Sequence, residues 1–67
     1  MTFGERMRRA RKDAGLTQPQ LAARAECTQP RISQYESGAR TPSLATAAKI
    51  AQVLDVSLDW LSGAKGE

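Results

Sequence analysis

Five helix-start signals are distributed along only 67 residues, and they restrict the fold of this chain more than any other feature of its sequence. Thr2 with Glu5, and Thr17 with Gln20, have the spacing of a capping box, in which side chains and backbone amides at a helix start bond each other. Three further N-cap residues follow at Thr28, Ser43 and Ser57. Apolar residues recur three or four positions apart between these signals, and no run alternates as a strand does. The sequence therefore predicts an all-α fold of five short helices.

The first and fourth predicted helices supply most of the core. Phe3, Met7, Ala10 and Ala14 fall on one face of the first helix, which ends at Gly15. The fourth helix has the widest apolar face and is therefore predicted to lie at the centre of the bundle. Its apolar residues are Leu44, Ala47, Ala48, Ile50, Ala51 and Leu54.

Two short helices are predicted between these. The first runs from about residue 18 to residue 25, and the second begins after Thr28 and ends at Gly38. Ile32 and Tyr35 are the only large apolar residues of the second helix, and their spacing puts them on one face. Because so polar a helix is unstable alone in water, this face must be held by the bundle while the other side chains point outward.

Composition narrows the possible functions. Residues 1–40 contain eight of the ten Lys and Arg residues and four of the seven acids, a net charge of +4, whereas residues 41–67 carry −1. The basic half is a candidate face for a polyanion. With one cysteine and no histidine, neither an intrachain disulfide nor a usual zinc site is expected. We expect no cofactor and no metal, and we expect no enzymatic activity because the sequence has neither paired acids in a plausible pocket nor a phosphate-binding loop.

No apolar run reaches the roughly 20 residues that a membrane-spanning helix needs, and the N-terminus has no secretory apolar region. We therefore expect no membrane partner and a cytoplasmic location.

Many spaced residues carry a resemblance to a known family. They are Gly15-Leu16-Thr17-Gln18, Leu21-Ala22, Thr28-Gln29, Ile32-Ser33, Tyr35-Glu36-Ser37-Gly38, Pro42-Ser43-Leu44, Ile50-Ala51, Leu54, Val56-Ser57 and Leu58-Asp59-Trp60-Leu61. In this order they resemble the helix-turn-helix family of lambdoid phage repressors and Cro proteins, the XRE family. The resemblance implies a compact five-helix bundle over residues 1–63, a helix-turn-helix at about residues 18–37, and a polar tail at residues 64–67.

The resemblance also implies that the third helix, about residues 29–36, enters the major groove of double-stranded DNA. The residues expected to contact bases are Gln29, Pro30, Arg31, Ser33 and Gln34. A glutamine amide matches adenine N6 and N7, and an arginine matches guanine O6 and N7. Related proteins often have a polar residue in place of Pro30, so their base preference does not transfer to this chain. The residues expected to contact phosphates are Gln18, Thr28, Arg40 and Arg11.

Three other features follow from the resemblance. Arg11 and Glu36 are expected to form a partly buried ion pair between the first and third helices; the alternative is two separate surface charges. Glu26 and Asp55 stand where glycine is common, so each is a candidate for a left-handed backbone. Cys27 is expected to fill an aliphatic core position.

One such domain reads few base pairs, so a homodimer on a palindromic operator is expected. The candidate dimer interface consists of Val56, Ser57, Leu58 and Trp60, although Trp60 fits the core equally well. The expected function is sequence-specific DNA binding by a transcriptional regulator, in particular a repressor. An antitoxin, a restriction-modification controller, or an interaction module that has lost DNA binding are the alternatives.

Overall fold

The computed structural model describes residues 1–63, and the predicted tail at residues 64–67 lies outside the described residues. Five helices follow one another along the chain: α1 (Phe3–Asp13), α2 (Gln18–Arg24), α3 (Gln29–Ser37), α4 (Leu44–Leu54) and α5 (Leu58–Ser62). Residues 1–63 contain no strand, so the all-α prediction is confirmed. No helix in this part of the chain is both long enough and apolar enough to cross a membrane.

The helix starts use the predicted capping residues, with one exception. Both capping boxes form, and Ser43 and Ser57 each accept a hydrogen bond from a backbone amide in the first turn of the next helix. Thr28 occupies the N-cap position of α3, but its hydroxyl makes no capping hydrogen bond among the described residues. The first turn of α3 therefore has an uncapped amide.

Each helix contributes one large, fully buried side chain to a single core. These residues are Met7, Leu21, Ile32, Ile50 and Leu61. Smaller buried residues of α1, α2 and α4 fill the space between them, and α3 packs against both α1 and α2. The second and third helices thus form a helix-turn-helix that the rest of the bundle supports from one side.

The predicted apolar faces of α1 and α4 include residues that the structure leaves exposed. Ala14 follows α1 as its exposed C-cap residue, and Ala48 is exposed on α4. Leu44 is 75% exposed, because the first turn of α4 borders an open groove with Phe3 and Leu58 instead of the closed core.

The turn between α2 and α3 has the left-handed residue that the sequence indicated. Glu26 has a φ of +60°, and its carboxylate forms an ion pair with Lys49 of α4. Cys27 is half-buried against the core, and this burial raises the pKa of its thiol. Asp55, with a φ of +58°, ends α4 in the same left-handed conformation.

Candidate nucleic-acid interface

The outward side of α3 is polar, and its inward side is apolar. Ile32 and Tyr35 are buried in the core. The residues predicted to contact bases lie on the other positions: Gln29, Pro30, Arg31 and Gln34 are exposed, and Ser33 is half-buried. Since the helix is anchored through only one side, these polar side chains are accessible to a ligand.

Gln18 and Gln29, each the first residue of its helix, are in direct contact. The Gln29 side-chain amide donates a hydrogen bond from Nε2 to Oε1 of Gln18, at 2.7 Å. This contact joins a residue predicted to bind phosphate to a residue predicted to bind a base. Thr28, also predicted to bind phosphate, is exposed immediately before Gln29.

Gln18 is also hydrogen-bonded to Glu36, whose side chain is buried. Arg11 donates from Nε to Oε2 of Glu36 at 2.6 Å and from a terminal nitrogen to Oε1 at 3.2 Å. Gln18 donates from Nε2 to the same Oε1 at 3.1 Å, and Nε of Arg8 lies 3.6 Å from it. Arg11 also donates to the backbone oxygen of Leu16 at 2.9 Å. The described contacts therefore run from Arg11 through Glu36 and Gln18 to Gln29.

The carboxylate of Glu36 is well suited to remain ionised although its side chain is only 1% exposed. Burial favours the neutral form. However, the hydrogen bonds from Arg11 and Gln18, together with the charges of Arg11 and Arg8, outweigh burial and hold the pKa of Glu36 below its usual value of 4.5. Glu36 is consequently a buried anion whose partners are all donors.

This pKa shift predicts an acid-dependent loss of stability. Because the pKa of Glu36 is lower in the folded chain than in the unfolded chain, its contribution is complete above pH 4.5 and is lost as the pH falls through the folded pKa. Urea unfolding at a series of pH values should show the free energy of unfolding declining over that acidic range. Glu36→Gln should show a shallower decline, and an identical pH profile for the two proteins would contradict the assignment.

The remaining predicted residues lie on two other surfaces. Arg40 is exposed just after α3, and its backbone amide donates to the carbonyl oxygen of Gln34 at 3.2 Å. The candidate dimer residues lie at the α4–α5 junction and on α5: Val56 and Leu58 are half-buried, Ser57 is exposed and Trp60 is 36% exposed. Trp60 therefore belongs partly to the packed interior and partly to the surface.

The sequence patterns did not single out three residues that shape these surfaces. Arg6 is buried, and its guanidinium carbon lies 5.5 Å from the centre of the Trp60 ring. Arg8 reaches toward Glu36, and Gly4 lies where α1 approaches the end of α3. Signals for two of them exist: Arg6 falls on the apolar face of α1, three residues after Phe3, and a glycine inside a helix often indicates close approach.

Comparisons with known proteins agree with this geometry. A sequence profile described as helix-turn-helix matches residues 7–61. The chain belongs to the XRE helix-turn-helix family. An uncharacterized HTH-type transcriptional regulator of Bacillus subtilis, YqaE, is 42% identical over 65 residues, which are 97% of this chain and 54% of that protein. The chain thus spans about half the length of this curated relative.

Two solved structures of DNA complexes share the fold of this helix-turn-helix chain. The P22 c2 repressor, bound to a synthetic operator, superposes with a TM-score of 0.91 at 28% identity, covering 100% of this chain and 98% of that one. SinR of Bacillus subtilis, a regulator of biofilm formation solved with DNA, superposes with a TM-score of 0.85 at 33% identity. That match covers 90% of this chain and 97% of the SinR chain. The five-helix bundle of this chain is therefore the fold of the P22 c2 and SinR domains.

Proposed function

We propose that this chain binds double-stranded DNA at specific sequences and regulates transcription, acting as a repressor that occupies its operator. The observation that carries the proposal is the two-sided character of α3. Ile32 and Tyr35 hold the helix in the core, while Gln29, Arg31 and Gln34 are exposed on its outer side, where base edges can reach them. A helix of this kind fits the major groove, whose edges present distinct donor and acceptor patterns.

Individual side chains have separate roles in this proposal. Gln29 and Gln34 bind bases through amides that donate and accept, and Arg31 reads guanine or clamps a phosphate. Pro30 and Ser33 lie on the same side of α3, where a proline ring suits a thymine methyl group and a hydroxyl suits either kind of partner. These residues fix which sequences are bound.

The phosphate contacts are proposed to surround the helix. Gln18, Thr28 and Arg40 are positioned around the start and end of α3, and the uncapped amide of its first turn is an additional donor for a phosphate oxygen. Arg11 is hydrogen-bonded to Glu36 and to Leu16, and its side chain is only 11% exposed. We therefore propose that Arg11 contributes to phosphate binding indirectly, by holding Glu36, which in turn accepts a hydrogen bond from Gln18.

We propose a homodimer that acts in the cytoplasm on a palindromic operator. Trp60 and the half-buried Val56 and Leu58 are its candidate interface, with Ser57 between them. Two copies related by a two-fold axis would present their α3 helices to half-sites about 34 Å apart, which is one turn of DNA.

The decisive experiment is selection of bound duplexes from a random pool, followed by titration of the selected duplex against salt. We expect a palindromic consensus with half-sites one turn apart, and an affinity that falls steeply as salt rises because phosphate contacts release counterions. Failure to retain any duplex at low salt would contradict DNA binding and favour an interaction module with this fold.

Two alanine variants should separate base recognition from phosphate binding. Arg40→Ala is expected to weaken binding to all duplexes alike and to reduce the slope of log affinity against log salt by about 1. Gln29→Ala should instead lower affinity for the selected duplex by about tenfold with little change in that slope. Fluorescence anisotropy on the selected and a scrambled duplex measures both quantities. Equal losses on both duplexes for Gln29→Ala would contradict its role in base recognition.

A further inference from the structure

We propose that this chain has a second ligand site, a cavity that binds a small zwitterion of the amino-acid type, with an ammonium group, a carboxylate and an apolar body. The cavity has a volume of about 500 Å³ and lies where the C-terminal ends of α1, α2 and α4 come together beside α5. None of its described lining residues belongs to α3, and none is proposed above to contact DNA. The site is therefore separate from the nucleic-acid interface.

The apolar part of the cavity has the size and composition of a small-molecule site. Such sites enclose about 300–1,000 Å³ and combine apolar walls with a few polar groups. The apolar lining consists of Ala10, Ala14, Leu16, Val53, Leu54, Val56 and Trp60. Leu16, Val53 and Val56 are half-buried, so each leaves part of its apolar surface accessible to solvent. A ligand with an apolar body would cover that surface.

Trp60 gives the cavity an aromatic wall. The residue is 36% exposed, and the guanidinium carbon of Arg6 lies 5.5 Å from the centre of its ring. Arg6 is not among the lining residues, so its contact with the ring leaves another part of the ring to the cavity. Because aromatic rings pack well against each other, this wall favours a ligand whose apolar body is itself aromatic.

Three charged residues border the apolar lining: Asp13, Arg24 and Asp55. Asp13 and Arg24 are the last residues of α1 and α2, and Asp55 is the C-cap residue of α4. All three are exposed, and in the part of the chain that the structure describes they take part in no ion pair. The cavity therefore combines an apolar surface with two carboxylates and one guanidinium that have no charged partner there.

This set of charges is complementary to a zwitterion. An ammonium group has three N–H donors and only needs acceptors, which the carboxylates of Asp13 and Asp55 supply. A carboxylate fits the guanidinium of Arg24, whose parallel N–H groups can bond both of its oxygens. A ligand with a single charge would leave either the acids or the arginine unpaired, whereas an apolar amino acid would use both kinds of group.

Four probes separate the parts of this ligand. Phenylalanine carries both charges and an apolar ring, phenethylamine lacks the carboxylate, 3-phenylpropionate lacks the ammonium group, and glycine lacks the apolar body. Trp60 is the only tryptophan of the chain, so its fluorescence, excited where phenyl rings do not absorb, reports occupancy of the cavity. Backbone amide chemical shifts of Ala10 and Ala14 locate the bound probe. Val56 and Trp60 are also candidate dimer residues, so each titration is repeated at increasing dilution of the protein.

Charge-removing variants test each wall of the cavity. Asp13→Asn and Asp55→Asn remove the acids, and asparagine tolerates the φ of +58° at position 55 as aspartate does. Arg24→Gln removes the guanidinium. Asp59→Asn is the matched control, because Asp59 is an exposed acid of α5 that does not line this cavity. Circular dichroism establishes that each variant is folded at the temperature of the titration.

We expect phenylalanine to bind the wild type and Asp59→Asn with a dissociation constant of about 1 mM, which is ordinary for a ligand of this size. Phenethylamine and 3-phenylpropionate should bind more weakly, and glycine should give no saturable signal. Asp13→Asn and Asp55→Asn should weaken phenylalanine and phenethylamine by about fivefold and spare 3-phenylpropionate. Arg24→Gln should weaken phenylalanine and 3-phenylpropionate and spare phenethylamine.

Two results would overturn the proposal. One is a Trp60 signal that does not saturate with phenylalanine. The other is an affinity for each probe that is the same in the folded charge variants as in the wild type, which would mean that the charges of the cavity do not select its ligand. Because these titrations contain no DNA, such a failure would leave the proposed DNA binding untouched, and failure of DNA binding would leave this site untouched.

Discussion

Replacing Glu36 with alanine is expected to lower the free energy of unfolding by about 3–5 kcal/mol, a range measured when one partner of a buried ion pair is removed. The guanidinium of Arg11 would keep its bond to Leu16 but lose both bonds to the carboxylate, while its side chain is only 11% exposed. Gln18 would lose its acceptor as well. Urea unfolding followed by circular dichroism measures the change, and a wild-type unfolding midpoint would contradict it.

Two further variants test whether this loss of stability comes from an unpaired buried charge or from lost packing. Arg11→Met combined with Glu36→Met removes both charges and leaves apolar groups of similar volume, so most of the lost stability should return. Glu26→Ala removes the acid of the Lys49 ion pair, which is exposed and screened by water, and should have a much smaller effect than Glu36→Ala. If the double variant were as unstable as Glu36→Ala, lost packing rather than an unpaired charge would be the explanation.

The sequence predicted the helices well because their starts and ends are local. A capping box needs residues three apart, so Thr2 with Glu5 and Thr17 with Gln20 could be recognised without any tertiary information. The faces of the helices were harder to predict at their ends. Leu44 has the spacing of a core residue, but it is exposed because the neighbouring elements do not extend over the first turn of α4.

The features of the candidate site also differ in whether local sequence or tertiary packing determines them. Which side of α3 faces outward follows from the spacing of Ile32 and Tyr35, which the sequence displays. The contacts among Gln18, Gln29 and Glu36 depend on how α2 and α3 pack, and residues 11 and 18 positions apart give no local signal of that packing. The polar outward side of α3 can therefore be predicted from the sequence, whereas the hydrogen bonds that join Gln18 to Gln29 and to Glu36 require the structure.

Gly4→Ala tests packing at a position where local and tertiary arguments have opposite signs. Gly4 lies in the first turn of α1, and helix propensity alone predicts that alanine is more stabilising by about 1 kcal/mol. The added methyl group would, however, lie 2.6 Å from the carbonyl oxygen of Tyr35 and closer still to that of Glu36. These are backbone atoms of α3, so they cannot move aside without displacing the helix.

We therefore expect Gly4→Ala to lower the free energy of unfolding by about 2 kcal/mol or more, which is typical of overpacking. Gly15→Ala is the matched control. Gly15 has a φ of +73° with nothing within 4 Å of the new methyl group, so only backbone strain of about 1 kcal/mol applies there. A Gly4→Ala protein more stable than the wild type would show that α1 can move away from α3 at little cost. A larger loss than at Gly15, together with weaker DNA binding at a temperature where the variant is folded, would show that this glycine lets α1 hold the end of α3 that contains Glu36.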